Sequence, residues 1–281
     1  MAGVFKEAFQ RLLKNKSGVL GLAIVLIFLA VAILADQISP YGATEMHPED
    51  RLLPPNATYL LGTDEFGRDI LSRLIHGARV SLKVAVLSVA AAGILGCSLG
   101  ILSGYTGGSV DNLTMRVMDV IFAFPAILLA LGIVAVLGAG SNNVIVAMTL
   151  VYLPIFARVA RGPVLSTKEM EYVTAAHATG SSSTRIVTRH ILPNITAPII
   201  VQVSLALSWA ILTEAALSFL GLGTQPPQPS WGNMLSESRT LMELAPWTAF
   251  SPGAAIMLAI LGFNLLGDSL RDVLDPRLKQ S

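Results

Sequence analysis

Residues 81–103 read SLKVAVLSVAAAGILGCSLGILS, and the only charged residue among them is Lys83, near the beginning. The hydrocarbon core of a bilayer is ~30 Å thick, and an α-helix needs about 20 consecutive apolar residues to cross it. The stretch therefore predicts a membrane-spanning helix. Comparable stretches recur along the chain with polar segments between them, which predicts an all-α, polytopic membrane protein.

Six apolar stretches of this kind predict six transmembrane helices. Of the 281 residues, 53% are hydrophobic and 13% are charged, whereas a soluble domain carries roughly a quarter charged residues. The predicted spans are 18–37, 81–103, 118–138, 143–160, 197–220 and 249–267. The predicted regions are a cytoplasmic N-terminal segment (1–17), the first span with an extracytoplasmic loop (18–80), a five-helix core (81–271) with a cytoplasmic coupling loop (161–196), and a cytoplasmic tail (272–281).

The second predicted span has a small residue at every fourth position. These residues are Ser88, Ala92, Gly96, Gly100 and Gly104. They share one helical face, and a face of small residues lets two membrane helices approach closely. The pattern therefore predicts a tightly packed helix bundle.

The extracytoplasmic loop carries its own helix signal. After Thr63, the side chains of Phe66, Ile70 and Leu74 recur at helical spacing, and Arg73 lies among them. This pattern predicts a short amphipathic helix that lies on the membrane or on a partner protein. An ordinary connecting helix explains the same pattern.

The distribution of lysine and arginine predicts the orientation, because short loops rich in these residues remain in the cytoplasm. The segment before the first span is basic, and so is the segment between the fourth and fifth spans. Acidic residues outnumber basic ones in the loop after the first span. Both termini are therefore expected in the cytoplasm, which requires an even number of spans.

Residues 169–199, between the fourth and fifth spans, read EMEYVTAAHATGSSSTRIVTRHILPNITAPI. Met170 and Val173 recur at helical spacing, Gly180 suits the left-handed end of a helix, and residues 181–184 can cap a second short helix. That second helix has an apolar face that includes Ile186 and Ile191. A short surface helix with small residues, braced by another helix, predicts a cytoplasmic docking site that couples the bundle to a partner.

This segment resembles the permeases of binding-protein-dependent ABC importers. Their signature is Glu-Ala-Ala, three residues, Gly, nine residues, Ile, one residue and Leu-Pro. The positions that match in register are Ala175, Ala176, Gly180, Leu192 and Pro193. Thr174 stands where the signature has Glu, and His190 stands where it has Ile.

Four other stretches resemble the dipeptide, oligopeptide and nickel branch of that family, most of all the second permease subunit of dipeptide importers. They are LGTDEFGRDILSRLIHGARVSL (61–82), DNLTMRVMDVIFAFPAILLAL (111–131), LSFLGLGTQPPQPSWGNML (217–235) and GFNLLGDSLRDVLDPR (262–277). With the signature they cover most of the chain after the first span. The chain is identified on these motifs as a member of the ABC importer permeases.

The resemblance implies a subunit that carries di- or oligopeptides across the bacterial inner membrane. It implies four kinds of partner: a homologous second permease, two ATP-binding subunits, an extracytoplasmic solute-binding protein and membrane lipid. ATP and Mg²⁺ would be bound by the ATP-binding subunits, with no cofactor in this chain. The residues implied to contact those subunits are Glu169, Glu171, Tyr172, Thr174, Ala175, Ala176, Gly180, Leu192 and Pro193. Nickel chelates and glutathione are the alternative substrates within the branch.

Two polar residues in predicted spans are candidates for the substrate pathway. Glu214 lies in the fifth span, where a carboxylate is costly enough to indicate either a functional role or a hydrogen bond between helices. Asn264, in the sixth span, is a weaker candidate, because packing explains it as well. The four histidines are scattered, with no pair at ligand spacing, and the single Cys97 lies in an apolar stretch, so we expect no metal site.

Other function classes fit the sequence less well. The chain has no G-x-x-x-x-G-K-[ST] phosphate loop, so it is not expected to hydrolyse ATP itself. An ion-driven secondary transporter remains an alternative, with Glu214 as its one intramembrane acid. An intramembrane enzyme would need a catalytic constellation, and no such motif is present. The net charge of +1 without a dense basic run argues against nucleic acid as a partner.

Overall fold

The computed structural model describes residues 11–274. Most of the predicted N-terminal segment (1–17) and of the predicted tail (272–281) lies outside the described residues. The described part is helical and holds no β-strand, apart from an isolated bridge between Thr63 and Asp69. The all-α prediction is confirmed.

Eleven α-helices lie entirely within the described residues, together with a 3₁₀ turn at Pro48–Asp50 and a π-helical turn at Val187–Ile191. Residues 11–14 are helical as well. The helices are α1 (Lys16–Ile33), α2 (Ala35–Ile38), α3 (Ile70–Thr106), α4 (Gly108–Phe122), α5 (Ala126–Leu137), α6 (Ser141–Lys168), α7 (Glu171–Ala178), α8 (Ser183–Ile186), α9 (Leu192–Phe219), α10 (Trp231–Ser238) and α11 (Trp247–Leu274).

Five helical segments of the described residues are long and apolar enough to cross a membrane, and the number is six if a bent pair of shorter helices is counted as one span. Four of the five segments are α1, α3, α6 and α11, and the fifth runs from α8 through the π-helical turn to the end of α9. The bent pair is α4 with α5, whose axes differ by 88°. The polytopic prediction is confirmed.

The third predicted span is therefore not one straight helix. The break lies at residues 123–125, between α4 and α5. Pro125 has no N–H to donate to the preceding turn, and it disfavours helical geometry at Phe124. α4 is fixed to α6 by two ion pairs, Asp119–Arg158 at 2.8 Å and Asp111–Arg161 at 2.5 Å. The bend thus separates a segment tied to α6 from the short apolar helix α5.

The small-residue face of α3 packs against α6. Ser88, Ala92, Gly96, Gly100 and Gly104 are all buried. A Cβ atom on Gly96 would lie 2.6 Å from the carbonyl oxygen of Leu153 on α6. A Cβ atom on Gly100 would overlap the carbonyl oxygen of Ala157. The predicted close approach is confirmed, because two backbones meet where side chains are missing.

The expected amphipathic helix after Thr63 is absent as a separate element. Residues 63–69 form a compact turn, and Asp69 caps α3 by accepting a hydrogen bond from the N–H of Ser72 at 2.8 Å. α3 then continues for 37 residues without interruption to Thr106. The helical periodicity after Ile70 is confirmed, but it belongs to the beginning of the second span.

Glycines also bring α1 against α11. A Cβ atom on Gly21 would lie 2.6 Å from the backbone nitrogen of Leu266, and one on Gly262 would lie 2.6 Å from Cγ2 of Ile24. The first span is therefore an integral part of the bundle.

Trp231 joins α10 to α3, because its indole N–H donates to the carbonyl oxygen of Leu74 at 3.1 Å.

Candidate coupling site

α7 follows α6 almost directly. Met170 lies between the two helices in an extended conformation, and α7 then runs from Glu171 to Ala178. Gly180 adopts a φ of +78°, and its N–H donates to the carbonyl oxygen of His177 at 2.9 Å. The N–H of Ser181 donates to the carbonyl oxygen of Ala176 at 3.0 Å. These bonds form the left-handed helix end that the sequence predicts at Gly180.

α7 rests on a small apolar core that is separate from the main core of the bundle. Val173 is its only fully buried residue. The small core consists of Val164, Val173, Ile186, Ile191 and Ile195, each with 0% exposure. It draws residues from α6, α7, α8, the π-helical turn and α9. Five elements therefore fix the position of one short helix.

Most of the residues predicted to contact a partner lie on the open surface. Glu169, Glu171, Tyr172, Thr174, Ala175, Gly180 and Leu192 are exposed, whereas Ala176 and Pro193 are half-buried. Leu192 and Pro193 begin α9, beyond the π-helical turn, so they belong to a different element from α7. No atom lies within 4 Å of a Cβ built on Gly180. The surface around α7 is thus open to a partner.

The two departures from the family signature have local explanations. The Thr174 hydroxyl is exposed and donates to the carbonyl oxygen of Met170, just before α7, so a longer Glu side chain would extend into solvent there. The His190 ring lies 6.1 Å from that of Tyr172, measured between centroids. The side-chain amide of Asn194 donates to the Tyr172 hydroxyl at 3.1 Å and to the His190 carbonyl oxygen at 2.6 Å. These polar contacts join α7 to the beginning of α9.

A buried ion-pair cluster lies at the opposite end of α3, and sequence reasoning missed it. It consists of Asp64, Arg68, Arg73 and Glu237. The Asp64 carboxylate accepts from Arg68 at 2.6 Å and from Arg73 at 3.0 Å. Glu237 accepts from the same two guanidinium groups at 3.1 and 2.7 Å. The cluster joins the loop before α3 to α10.

Arg68 and Arg73 are nearly inaccessible, with exposures of 3% and 1%. Burial raises the pKa of the Glu237 carboxyl above its usual value, and the neighbouring Arg68 guanidinium opposes that shift. Two cations and two carboxylates balance within the cluster. Arg73 and Glu237 are 164 positions apart, so no local pattern in the sequence indicates their pairing.

The two predicted pathway residues lie in different surroundings. Glu214 is buried at 1% exposure, and one of its carboxylate oxygens accepts from the Ser218 hydroxyl at 2.7 Å. The other oxygen has no hydrogen-bond partner among residues 11–274. Asn264 is half-buried on α11, and no hydrogen bond joins it to Glu214. The pathway role of both residues stays a prediction.

Within the described ranges, no group of three His, Cys, Asp or Glu side chains could hold a metal ion. Cys97 is buried in the main core.

Comparison with known proteins places these features in a family. Residues 96–280 match the family described as the binding-protein-dependent transport system inner membrane component. Residues 3–55 match the N-terminal transmembrane domain of oligopeptide transport permease C. The chain is 48% identical to a dipeptide transport system permease protein of Alkalihalophilus pseudofirmus, over 98% of this chain and 90% of that one.

A glutathione transport system permease protein of Pectobacterium atrosepticum is 44% identical, over 98% of this chain and 92% of that one. An inward-facing structure of the MetNI methionine ABC transporter shares the fold at 15% identity, with a TM-score of 0.60 over 73% of this chain and 98% of that one. The chain therefore belongs to the binding-protein-dependent inner-membrane components, as a membrane-embedded permease subunit of an ABC importer.

Proposed function

We propose that this chain is the translocating subunit of a peptide importer and that α7 is its docking element for an ATP-binding subunit. The observation that carries the proposal is a surface helix with small exposed residues, ended by Gly180 and fixed on its own apolar core. The small side chains of Thr174 and Ala175 leave that part of the helix surface accessible to the wall of a cleft. Its core keeps it from moving independently of the bundle.

In the proposed mechanism, ATP hydrolysis occurs in partner subunits and this chain responds to it. ATP and Mg²⁺ are bound by two ATP-binding subunits, and their closure moves α7. A ligand shifts a conformational equilibrium only when it binds one state better than the other. The ATP-bound dimer must therefore prefer the position that α7 takes in one access state of the permease. A homologous second permease and an extracytoplasmic solute-binding protein complete the assembly.

The proposed orientation places α7 and both termini in the cytoplasm. The basic segments before α1 and around α7 support this orientation, because lysine and arginine favour the cytoplasmic side. The ion-pair cluster, at the other end of α3, then lies outside the cytoplasm. Inner-membrane localisation in a bacterium follows from the family.

The substrate that we propose is a di- or oligopeptide. The support is the name of the relative that is 48% identical, a dipeptide permease. Glutathione, itself a tripeptide derivative, is the second candidate because a relative at 44% identity is named for it. Uptake of a labelled dipeptide into proteoliposomes containing the complete transporter, with dipeptide and glutathione as competitors, distinguishes the two.

An Ala175→Arg substitution tests the docking role of α7. Ala175 is exposed, so the bundle should fold normally. The bulky cation should prevent α7 from entering a cleft, and we expect co-purification of the ATP-binding subunits to fall at least tenfold. The matched control is Ala57→Arg, an exposed alanine in the loop before α3, which should leave co-purification unchanged. If the Ala175→Arg complex retains its ATP-binding subunits and its uptake, docking at α7 is wrong.

A further inference from the structure

Tyr105, in the last turn of α3, contacts α7. Its ring is nearly parallel to that of His177, with centroids 6.2 Å apart and an angle of 12° between the planes. The Tyr105 hydroxyl and Nε2 of His177 are 3.3 Å apart, within hydrogen-bond distance. Tyr105 also packs against the small core beneath α7, as does Ile101 one turn earlier. Displacing α7 therefore pushes or pulls the end of α3.

α3 differs from the other helices that reach α7. It has 37 residues and no proline, so at 1.5 Å per residue it extends about 55 Å without a break. α6 contains Pro154 and Pro163, and α9 contains Pro198. An internal proline removes a backbone hydrogen bond and permits kinking. Of the three, α3 is the helix that best transmits an axial displacement.

The other end of α3 is also anchored. Arg73, in its first turn, binds Asp64 and Glu237 within the ion-pair cluster. The carbonyl oxygen of the next residue, Leu74, accepts from the Trp231 indole. About two turns after Arg73, the hydroxyl of Ser81 accepts from the Trp231 backbone N–H at 3.2 Å. Both ends of one continuous helix thus hold polar contacts to other elements, so a shift of one end strains the contacts at the other.

We propose that Tyr105 is a positioning residue that passes displacement of α7 into α3, which carries it to the ion-pair cluster. This inference rests on the proposed docking of an ATP-binding subunit at α7. Under this proposal, displacement is transmitted along α3 between α7 and the far end of the permease. The Tyr105–His177 contact is the point at which α7 acts on α3. Substrate-loaded binding protein on the far side and ATPase on the near side are then coupled through this contact.

The test uses the complete transporter in proteoliposomes, with Tyr105→Phe and Tyr105→Leu variants. The first removes the hydroxyl and keeps the ring; the second removes both. We expect ATP-binding subunits to co-purify and basal ATP hydrolysis to persist. Stimulation of hydrolysis by substrate-loaded binding protein should fall, by about 2- to 30-fold, the range found for residues that carry coupling. The leucine variant should lose more than the phenylalanine variant.

Ser98→Ala is the matched control on the same helix, since Ser98 is exposed and its hydroxyl donates only to Ile94 within α3. Its ratio of stimulated to basal ATP hydrolysis should equal that of the wild type.

A His177→Leu variant completes a double-mutant cycle. The double variant with Tyr105→Leu should lose no more stimulation than the more affected of the two single variants. A purely structural role would lower assembly or thermal stability and leave the ratio unchanged.

The proposal is overturned if Tyr105→Leu assembles with an unchanged ratio, or if the losses in the cycle simply add. Should Tyr105→Leu fail to assemble, the ratio of Tyr105→Phe decides in the same way. Failure of the docking proposal looks different, because the Ala175→Arg complex would then keep its ATP-binding subunits. The two hypotheses are thus tested by separate readouts, co-purification for docking and the stimulation ratio for Tyr105.

Discussion

A Gly100→Leu substitution is expected to prevent the bundle from folding. A Cβ atom at this position would overlap the carbonyl oxygen of Ala157 on α6. Backbone cannot move aside as a flexible side chain can, so α3 and α6 must separate. Overpacking a well-packed core costs about 1–3 kcal/mol, and a backbone clash belongs at or above the top of that range. The measurement is the yield of monodisperse protein in detergent and its midpoint of thermal unfolding.

Gly132→Leu is the matched control for that prediction. Gly132 is also inside a helix, α5, but no atom lies within 4 Å of a Cβ built on it. Leu is a better helix former than Gly by roughly 0.5–1 kcal/mol, so this variant should be at least as stable as the wild type. Equal yields and unfolding midpoints for the two variants would show that α3 and α6 are not in close backbone contact.

The second large effect is expected for Arg73→Met. Removing this buried cation leaves Asp64 and Glu237 with only Arg68 between them, so one carboxylate is left without a compensating charge. Breaking a buried ion pair on one side costs about 3–5 kcal/mol. We expect a large fall in the unfolding midpoint of the detergent-purified chain. The loop before α3 should also become accessible to proteases.

Arg239→Met is the control. Arg239 lies two residues after Glu237, is exposed, and has its guanidinium carbon 5.8 Å from the centroid of the Phe219 ring. An exposed cation–π contact contributes about 0.5–1 kcal/mol.

Adding Glu237→Met to Arg73→Met leaves one cation, Arg68, and one carboxylate, Asp64, so the charges balance again. The double variant should therefore recover part of the lost thermal stability. If the double variant is less stable than Arg73→Met alone, charge balance does not explain the cluster.

The helices and the surface around α7 could largely be read from local sequence. The C-terminal end of α7 follows from Gly180, and the burial of Val173, Ile186 and Ile191 follows from their spacing. These features depend on backbone conformations that one or two residues impose. They also depend on which side of a short helix is apolar.

The structure corrected two sequence-based predictions of where helices begin and end. The periodicity after Ile70 belongs to a continuous 37-residue helix and not to a separate surface helix. The third predicted span is two helices at 88°. In both cases the local signal was present, at Asp69 and Pro125. A hydropathy window averages over about 19 residues, however, and so it cannot locate a cap or measure an angle.

By itself, the sequence determined that this chain is a bundle of membrane helices, and it predicted a docking surface between the fourth and fifth spans. Both depend on residues that are neighbours in the sequence. A run of about 20 apolar residues makes transfer into hydrocarbon favourable, and Gly180 permits the left-handed turn that ends α7. Only the tertiary structure decided that Arg73 meets Glu237, that Glu214 is enclosed, and that Tyr105 contacts His177. Those contacts join residues 72 or more positions apart or depend on neighbouring helices. They therefore depend on how the helices pack.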